Sequence, residues 1–219
     1  MITNHKAGDI LEQEVKKMKS ISKVKIGSPD DINKMTERFL SSFNCIIYDL
    51  CDYGFLVKHD KVKEIEQYIK KDGGSFLVTH DQWDNLSGNP LYLIGLEYSI
   101  KPTIYSNKAR VCYTHELFNS YYDFTNLGKI NIATTHQTNH KIIEEENNKA
   151  RSIIELEINR ADNYRYNYLV VNELGCGRIA YWAAGHSHSI SKDEKKLFRN
   201  IVAWLLFLYE ISFWLLSFS

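Results

Sequence analysis

The sequence predicts an α/β domain whose mainly parallel sheet is covered by helices on both faces. Residues 44–50 (NCIIYDL) and 75–79 (SFLVT) are apolar almost throughout, as strands buried on both faces are. Amphipathic helical patterns at 8–19 and 60–71 alternate with them over short connections. Strand, helix, strand alternation of this kind implies crossovers and parallel neighbours.

The elements follow in order. Residues 8–19 place Leu11, Val15 and Met18 on one helical face with lysines opposite. Residues 22–26 (SKVKI) read as a short strand. Ser28 caps a helix with Pro29 in its first turn, running to about Ser41. The helix at 60–71 turns Val62, Ile65 and Ile69 inward and stops at Asp72-Gly73-Gly74. Asn89-Pro90 opens a short helix (PLYLIGLEY). Strands are expected at 111–113, 130–134 and 153–158, with 141–150 (KIIEEENNKA) as a charged, mobile loop. Strands at 168–172 and 178–182 flank the turn Glu173–Gly177 and form a hairpin. Ser191-Lys-Asp-Glu194 is a capping box opening the C-terminal helix.

The 219 residues suit one domain, drawn here as 1–204 followed by an apolar tail at 205–219. Lys+Arg and Asp+Glu are 27 each, and the zero net charge argues against a nucleic-acid binder, which needs a basic field. The four cysteines, Cys45, Cys51, Cys112 and Cys176, contain no CxxC pair, so a zinc ribbon or thioredoxin-type site is not expected. The opening residues MITNHKAGDILEQ have no signal-peptide core, and the expected compartment is the reducing cytoplasm.

Residues 201–219 carry one charge, Glu210. A helix apolar all round loses about 25 cal/mol per Å² if left in water. Three covers are open: the domain itself, a protein partner or second copy, or a membrane. Glu210 at mid-span and the lack of flanking basic residues argue against the membrane. Burial by the domain itself, or an interface with a protein partner or second copy through this tail, is therefore expected.

Three stretches, in order, resemble the class I glutamine amidotransferase-like superfamily and its ThuA-like branch. They are IIYDLCDYG before Phe55, IEQYIKKDGGSFLVTHD at 65–81, and GCGRIAYWAAGHSHSISKDEKKLFRNIVAW at 175–204. The last is the most specific. The resemblance implies a flavodoxin-like three-layer sandwich. It also implies a first strand before the helix at 8–19, where only Met1–Asn4 remains, so that strand is expected to be truncated.

The amidotransferase members resemble one another in a cysteine nucleophile at a strand-to-helix elbow, with a histidine and a glutamate downstream. Acyl transfer there needs a thiolate, a base and oxyanion donors. The elbow after residues 75–79 reads Thr79-His80-Asp81-Gln82, and an imidazole cannot replace that thiol. Glutaminase activity is not expected. His80 with Asp81, and His186 with His188, directly follow apolar strands and should stand at the carboxyl rim, where parallel sheets bind ligands. A carboxylate beside an imidazole orients it and raises its basicity. Such histidines more often hydrogen-bond a neighbouring loop. His136 and His140 have ligand spacing for a helix but lie outside a helical pattern, so no metal or cofactor is expected.

Two functions stay open. One is a non-catalytic binding or assembly domain. The other is a ThuA-like protein that binds or transforms a small polar, sugar-like molecule at the rim of His80, Asp81 and His186.

Overall fold

The computed structural model describes residues 2–3, 6–26, 31, 34, 36–49, 59–79, 91–104, 106–124, 128–133, 137–157, 166–184 and 189–207. In chain order these give β1 (Ile2–Thr3), α1 (Lys6–Lys16), α2 (Glu37–Leu40), β2 (Cys45–Asp49), α3 (His59–Lys70) and β3 (Ser75–Thr79). Next come α4 (Leu91–Ile94), β4 (Leu96–Ile104), β5 (Lys108–Val111), a 3-10 turn (Glu116–Asn119), β6 (Lys129–Asn131) and β7 (Gln137–Ile142). The last elements are β8 (Arg151–Leu156), β9 (Asn167–Leu174), β10 (Gly177–Trp182) and α5 (Lys192–Leu205).

The main sheet has the order β1-β2-β3-β10-β9-β8-β5-β6, and β4 pairs with β7 in a separate antiparallel ribbon. Neighbours are parallel from β1 to β10 and antiparallel from β10 to β6. The expectation of a mainly parallel sheet is therefore corrected: antiparallel pairings predominate among the described strands. The reason is local. A tight turn between β9 and β10, with Gly175 at φ 64°, forces those two strands to run in opposite directions. Ten residues, 157–166, join β8 to β9, fewer than the dozen or more that a parallel crossover needs.

The first strand is two residues long and pairs with Tyr48 and Asp49 of β2 at the sheet edge. The centre belongs to β3, β10 and β9, whose residues are buried almost throughout. A short strand at the edge costs the core little.

Helices cover both faces, and side-chain alternation along β10 shows it. Arg178 and Trp182 reach α5, where Trp182 stacks on Phe198 at 5.6 Å. On the other face, Asn172, paired with Ile179, donates to the carbonyl of Ile94 in α4. A Cβ on Gly177 would strike the carbonyl of Ile69 in α3. The three-layer expectation holds in this sense.

The helical faces agree with the periodicity. Leu11 and Val15 of α1 and Ile65 and Ile69 of α3 are buried, and Gly73 ends α3 at φ 69°. Three elements differ from expectation. Residues 22–26 join no ladder. The helix expected over 90–98 stops at Ile94, because Gly95 turns at φ 87° and the chain continues as β4. The loop expected at 141–150 begins inside β7. It is built around Asn148, whose amide donates to the carbonyls of Gly95 and Ile143 at 3.0 and 2.8 Å.

Candidate functional site

The carboxyl ends of β2, β3 and β10 form one rim. The register sets Asp49 opposite Thr79, and Thr79 opposite Trp182. Asp49 and Thr79 are fully buried, and the Thr79 hydroxyl donates to the Asp49 carboxylate. His80, Asp81, His186 and His188 lie outside the described residues, as do Cys51 and His136. The topology still fixes where their segments leave the sheet. His80 follows Thr79 directly, and Ala183–Ala184, which lead to His186, follow Trp182 on the neighbouring parallel strand.

Beside this rim stands a polar latch at the start of α5. Ser191 caps the helix, its hydroxyl accepting from the Glu194 amide at 3.1 Å and donating to the Asn131 carbonyl at 2.7 Å. The Glu194 carboxylate is fully buried. It accepts from the amides of Ser191 and Ala133 at 2.7 and 2.8 Å, and from the Tyr168 hydroxyl at 2.6 Å. Burial first, and the Glu194 charge second, push the Tyr168 phenol well above its ordinary range. With three donors on its two oxygens, Glu194 is a positioning group that fixes α5 against β9 and the strand-β6 loop. The capping box was legible in the sequence, but its link to Tyr168 was not, because nothing in the spacing joins residues 168 and 194.

None of the described cysteines stands at the end of β3. Cys45 opens β2 at the opposite end of the sheet, and burial pushes its thiol up to about 12. Cys176 is exposed in the hairpin turn. Cys112 follows β5, and burial together with Glu155 pushes its thiol up to about 11. Cys45 and Cys112 are therefore thiols, not thiolates, at neutral pH.

A second cleft, of about 430 Å³, lies on the antiparallel half. The register aligns Arg110, Glu155 and Asn167 across β5, β8 and β9, and Arg110 donates to the buried Glu155 carboxylate at 3.1 Å. Tyr113 and His115 line the same cleft with Glu155 and Asn167. Burial pulls the His115 imidazole below its ordinary value, opposed by Glu116 and aided by Arg178. Its Nδ1 accepts from the Leu117 amide at 3.2 Å, so the ring serves as the cap of the 3-10 turn. Sequence reasoning missed this cleft. Its available signal was the acid Glu155 inside the apolar stretch SIIEL. Among the described residues no group of three histidine, cysteine or acidic side chains could hold a metal ion. His140 lies in β7 opposite Tyr98.

At the far end of the sheet, α5 is tied down at its C-terminus. The Ser75 hydroxyl donates to the Leu205 carbonyl at 2.6 Å, and Arg178 donates to the Trp204 carbonyl at 2.7 Å. Ser75 and Arg178 stand at the beginnings of β3 and β10, so the chain leaves α5 at the end opposite the rim. Among the described residues no helix is long and apolar enough to cross a membrane.

No family model matches the chain, and no curated protein matches it by sequence. Solved structures do. A ThuA-like protein from Bacteroides uniformis superposes with a TM-score of 0.67 at 14% identity, over 93% of this chain and 89% of that one. A cytoplasmic protein from Salmonella typhimurium LT2 gives 0.63 at 12%, over 92% and 87%. A GH42 beta-galactosidase gives 0.58 at 12%, over 93% of this chain but 26% of its own. The chain shares the fold of these proteins. At such identities the likeness extends to architecture alone.

Proposed function

We propose that this chain is a non-catalytic amidotransferase-like domain that works by binding or assembly in a reducing, cytoplasmic setting. The observation that carries the reading is the end of β3. The strand closes on a buried Thr79 and the sequence continues His80-Asp81-Gln82, with no thiol where the resembling enzymes carry theirs. Cys45 and Cys112, held protonated, offer no substitute nucleophile. The same fold also occurs within a much longer beta-galactosidase chain, of which it covers 26%, which is in keeping with a modular use. The test is ammonia release from glutamine. No turnover above a heat-denatured control is expected, and activity that disappears on Cys51→Ser would overturn the reading.

A second reading is favoured by the register. β3 and β10 end side by side, and in the sequence His80 and Asp81 follow the first and His186 follows the second. This arrangement suits a small polar, sugar-like ligand held outside the carboxyl ends of the strands. A ligand bound only by the folded state raises the melting temperature. A rise with sugars that His80→Ala removes would favour this reading over the first.

A further inference from the structure

We propose that the cleft on the antiparallel half binds a small carboxylate, with Arg151 as its counter-ion and a hydroxyl or ammonium group of the ligand turned toward Glu155. The cavity, of about 430 Å³, has the size of a small-molecule site, and Ile142 and Ile153 give it an apolar wall for a carbon chain. It is independent of the rim and of residues 208–219, which lie outside the described residues. No residue that lines it belongs to β2, β3 or β10.

Three observations select the ligand. The first is an uncompensated charge. Arg151 opens β8, is exposed, and pairs with no carboxylate among the described residues. Glu155, the acid that lines the same cleft, is already neutralised by Arg110 at 3.1 Å. His115, held by burial below its ordinary value, adds no charge at neutral pH. The cleft therefore carries one cation in excess. A guanidinium matches a carboxylate through two parallel hydrogen bonds.

The second is a set of donors near that cation. Nδ1 of His115 accepts from the Leu117 amide, so the neutral ring carries its hydrogen on Nε2. Among the described residues neither that hydrogen nor the Thr114 hydroxyl is hydrogen-bonded. The Arg151 charge helps to lower the proton affinity of His115, which sets the two side chains within electrostatic reach of each other.

The third is the acid further along the strand. Glu155 stands four residues beyond Arg151, at most about 13 Å between Cα atoms at ~3.3 Å per residue. It is 2% exposed, with Asn167 beside it in register. A carboxylate there accepts from a donor and repels a second anion. A phosphate monoester, with a charge of about −1.5 to −2 at pH 7, would exceed the single cation and face this acid. A carboxylate with a donor at its other end satisfies both ends of the cleft.

Titration calorimetry on the full chain tests it. The probes are lactate, 3-hydroxybutyrate, glycine and 4-aminobutyrate. At least one is expected to bind with a Kd of about 1 mM or lower, and the better series tells whether the donor is a hydroxyl or an ammonium. Inorganic phosphate, and the amide of the best probe, which lacks its negative charge, are expected not to bind. Arg151→Gln should weaken binding about tenfold or more, and Arg151→Lys by less. In hydrogen exchange the bound probe is expected to protect residues 113–115 and 151–155 and to leave Thr79, Ala183 and Ala184 at the rim unchanged. If Arg151→Gln fails to fold, Arg151→Lys and the amide carry the test. No binding by any of the probes, equal binding by phosphate or by the amide, or full affinity in Arg151→Gln would overturn the proposal. So would protection confined to the rim.

Discussion

The guanidinium of Arg178, at the start of β10, donates to the carbonyl of Trp204, in the last turn of α5, at 2.7 Å. It also donates to Glu116 at 3.1 Å and lies over the rings of Trp204 and Phe207 at 4.9 and 3.8 Å. The last carbonyls of a helix lack partners within it, and its C-terminal end favours a cation. One buried side chain thus satisfies the helix terminus and pins it to the sheet. Arg178→Met, which keeps the packing but removes every donor, is expected to destabilise the fold by about 2–3 kcal/mol. Urea denaturation measures it. Arg178→Lys keeps the charge without the planar fork and should fall between the two.

Glu194 makes a parallel case at the other end of α5. Its removal uncovers three donors, those of Ser191, Ala133 and Tyr168. Glu194→Ala is expected to cost about 3 kcal/mol, more than the ~1 kcal/mol of an ordinary cap. Tyr168→Phe should cost about 1 kcal/mol alone. The double variant should lose less than the sum of the two single losses, because the shared bond is counted once. Full additivity would mean that the Tyr168–Glu194 bond contributes nothing.

How far the sequence could be read follows from where its signals are local. The strands β2, β3 and β10, the helix faces of Leu11 and Ile65, and the Ser191 cap each leave a pattern within a dozen residues. Strand direction after Lys108 leaves none. The hairpin at Gly175 was visible, yet its consequence, antiparallel neighbours out to β6, depends on which strands lie beside it. The ends of β3 and β10 were legible, but His80, Asp81 and His186, expected beyond them, lie outside the described residues. The second cleft was not legible, since Arg110, Glu155 and Asn167 meet only through cross-strand register. The tie between Tyr168 and Glu194 is hidden for the same reason.

Two turn glycines with nearly equal dihedrals should respond differently. Gly175 has φ 64°, and an added Cβ would sit 2.4 Å from the Lys70 carbonyl oxygen. Gly73 has φ 69°, and there the nearest atom would be 3.6 Å away. Gly175→Ala combines strain with a backbone clash and is expected to cost about 3 kcal/mol or more. Gly73→Asn places a residue that tolerates left-handed backbone where its Cβ meets Cys176 at ordinary contact distance, with a cost of about 1 kcal/mol or less. Equal melting temperatures for the two variants would refute the distinction.

The His115 imidazole gives the fold a pH dependence with a definite sign. Burial lowers its value in the folded state from the ordinary 6.5, with Glu116 and Glu173 opposing and Arg178 and Arg151 assisting. The unfolded chain therefore takes up the proton first. The contribution is fully present above pH 6.5 and is lost as pH falls through the lower folded value. Protonation also removes the Nδ1 lone pair that accepts from Leu117. His115→Asn keeps a capping acceptor that does not titrate. Between pH 7 and pH 5 the native protein is expected to lose melting temperature more steeply than this variant. Glu14 does not confuse the comparison. Burial works to raise its value, but hydrogen bonds from Lys17 and Arg199 outweigh that and hold it below 4.5. Its contribution is present above that pH and lost only as pH falls through the depressed folded value, below the range compared. Parallel melting curves for the two proteins over pH 5–7 would show that His115 is not the group responsible.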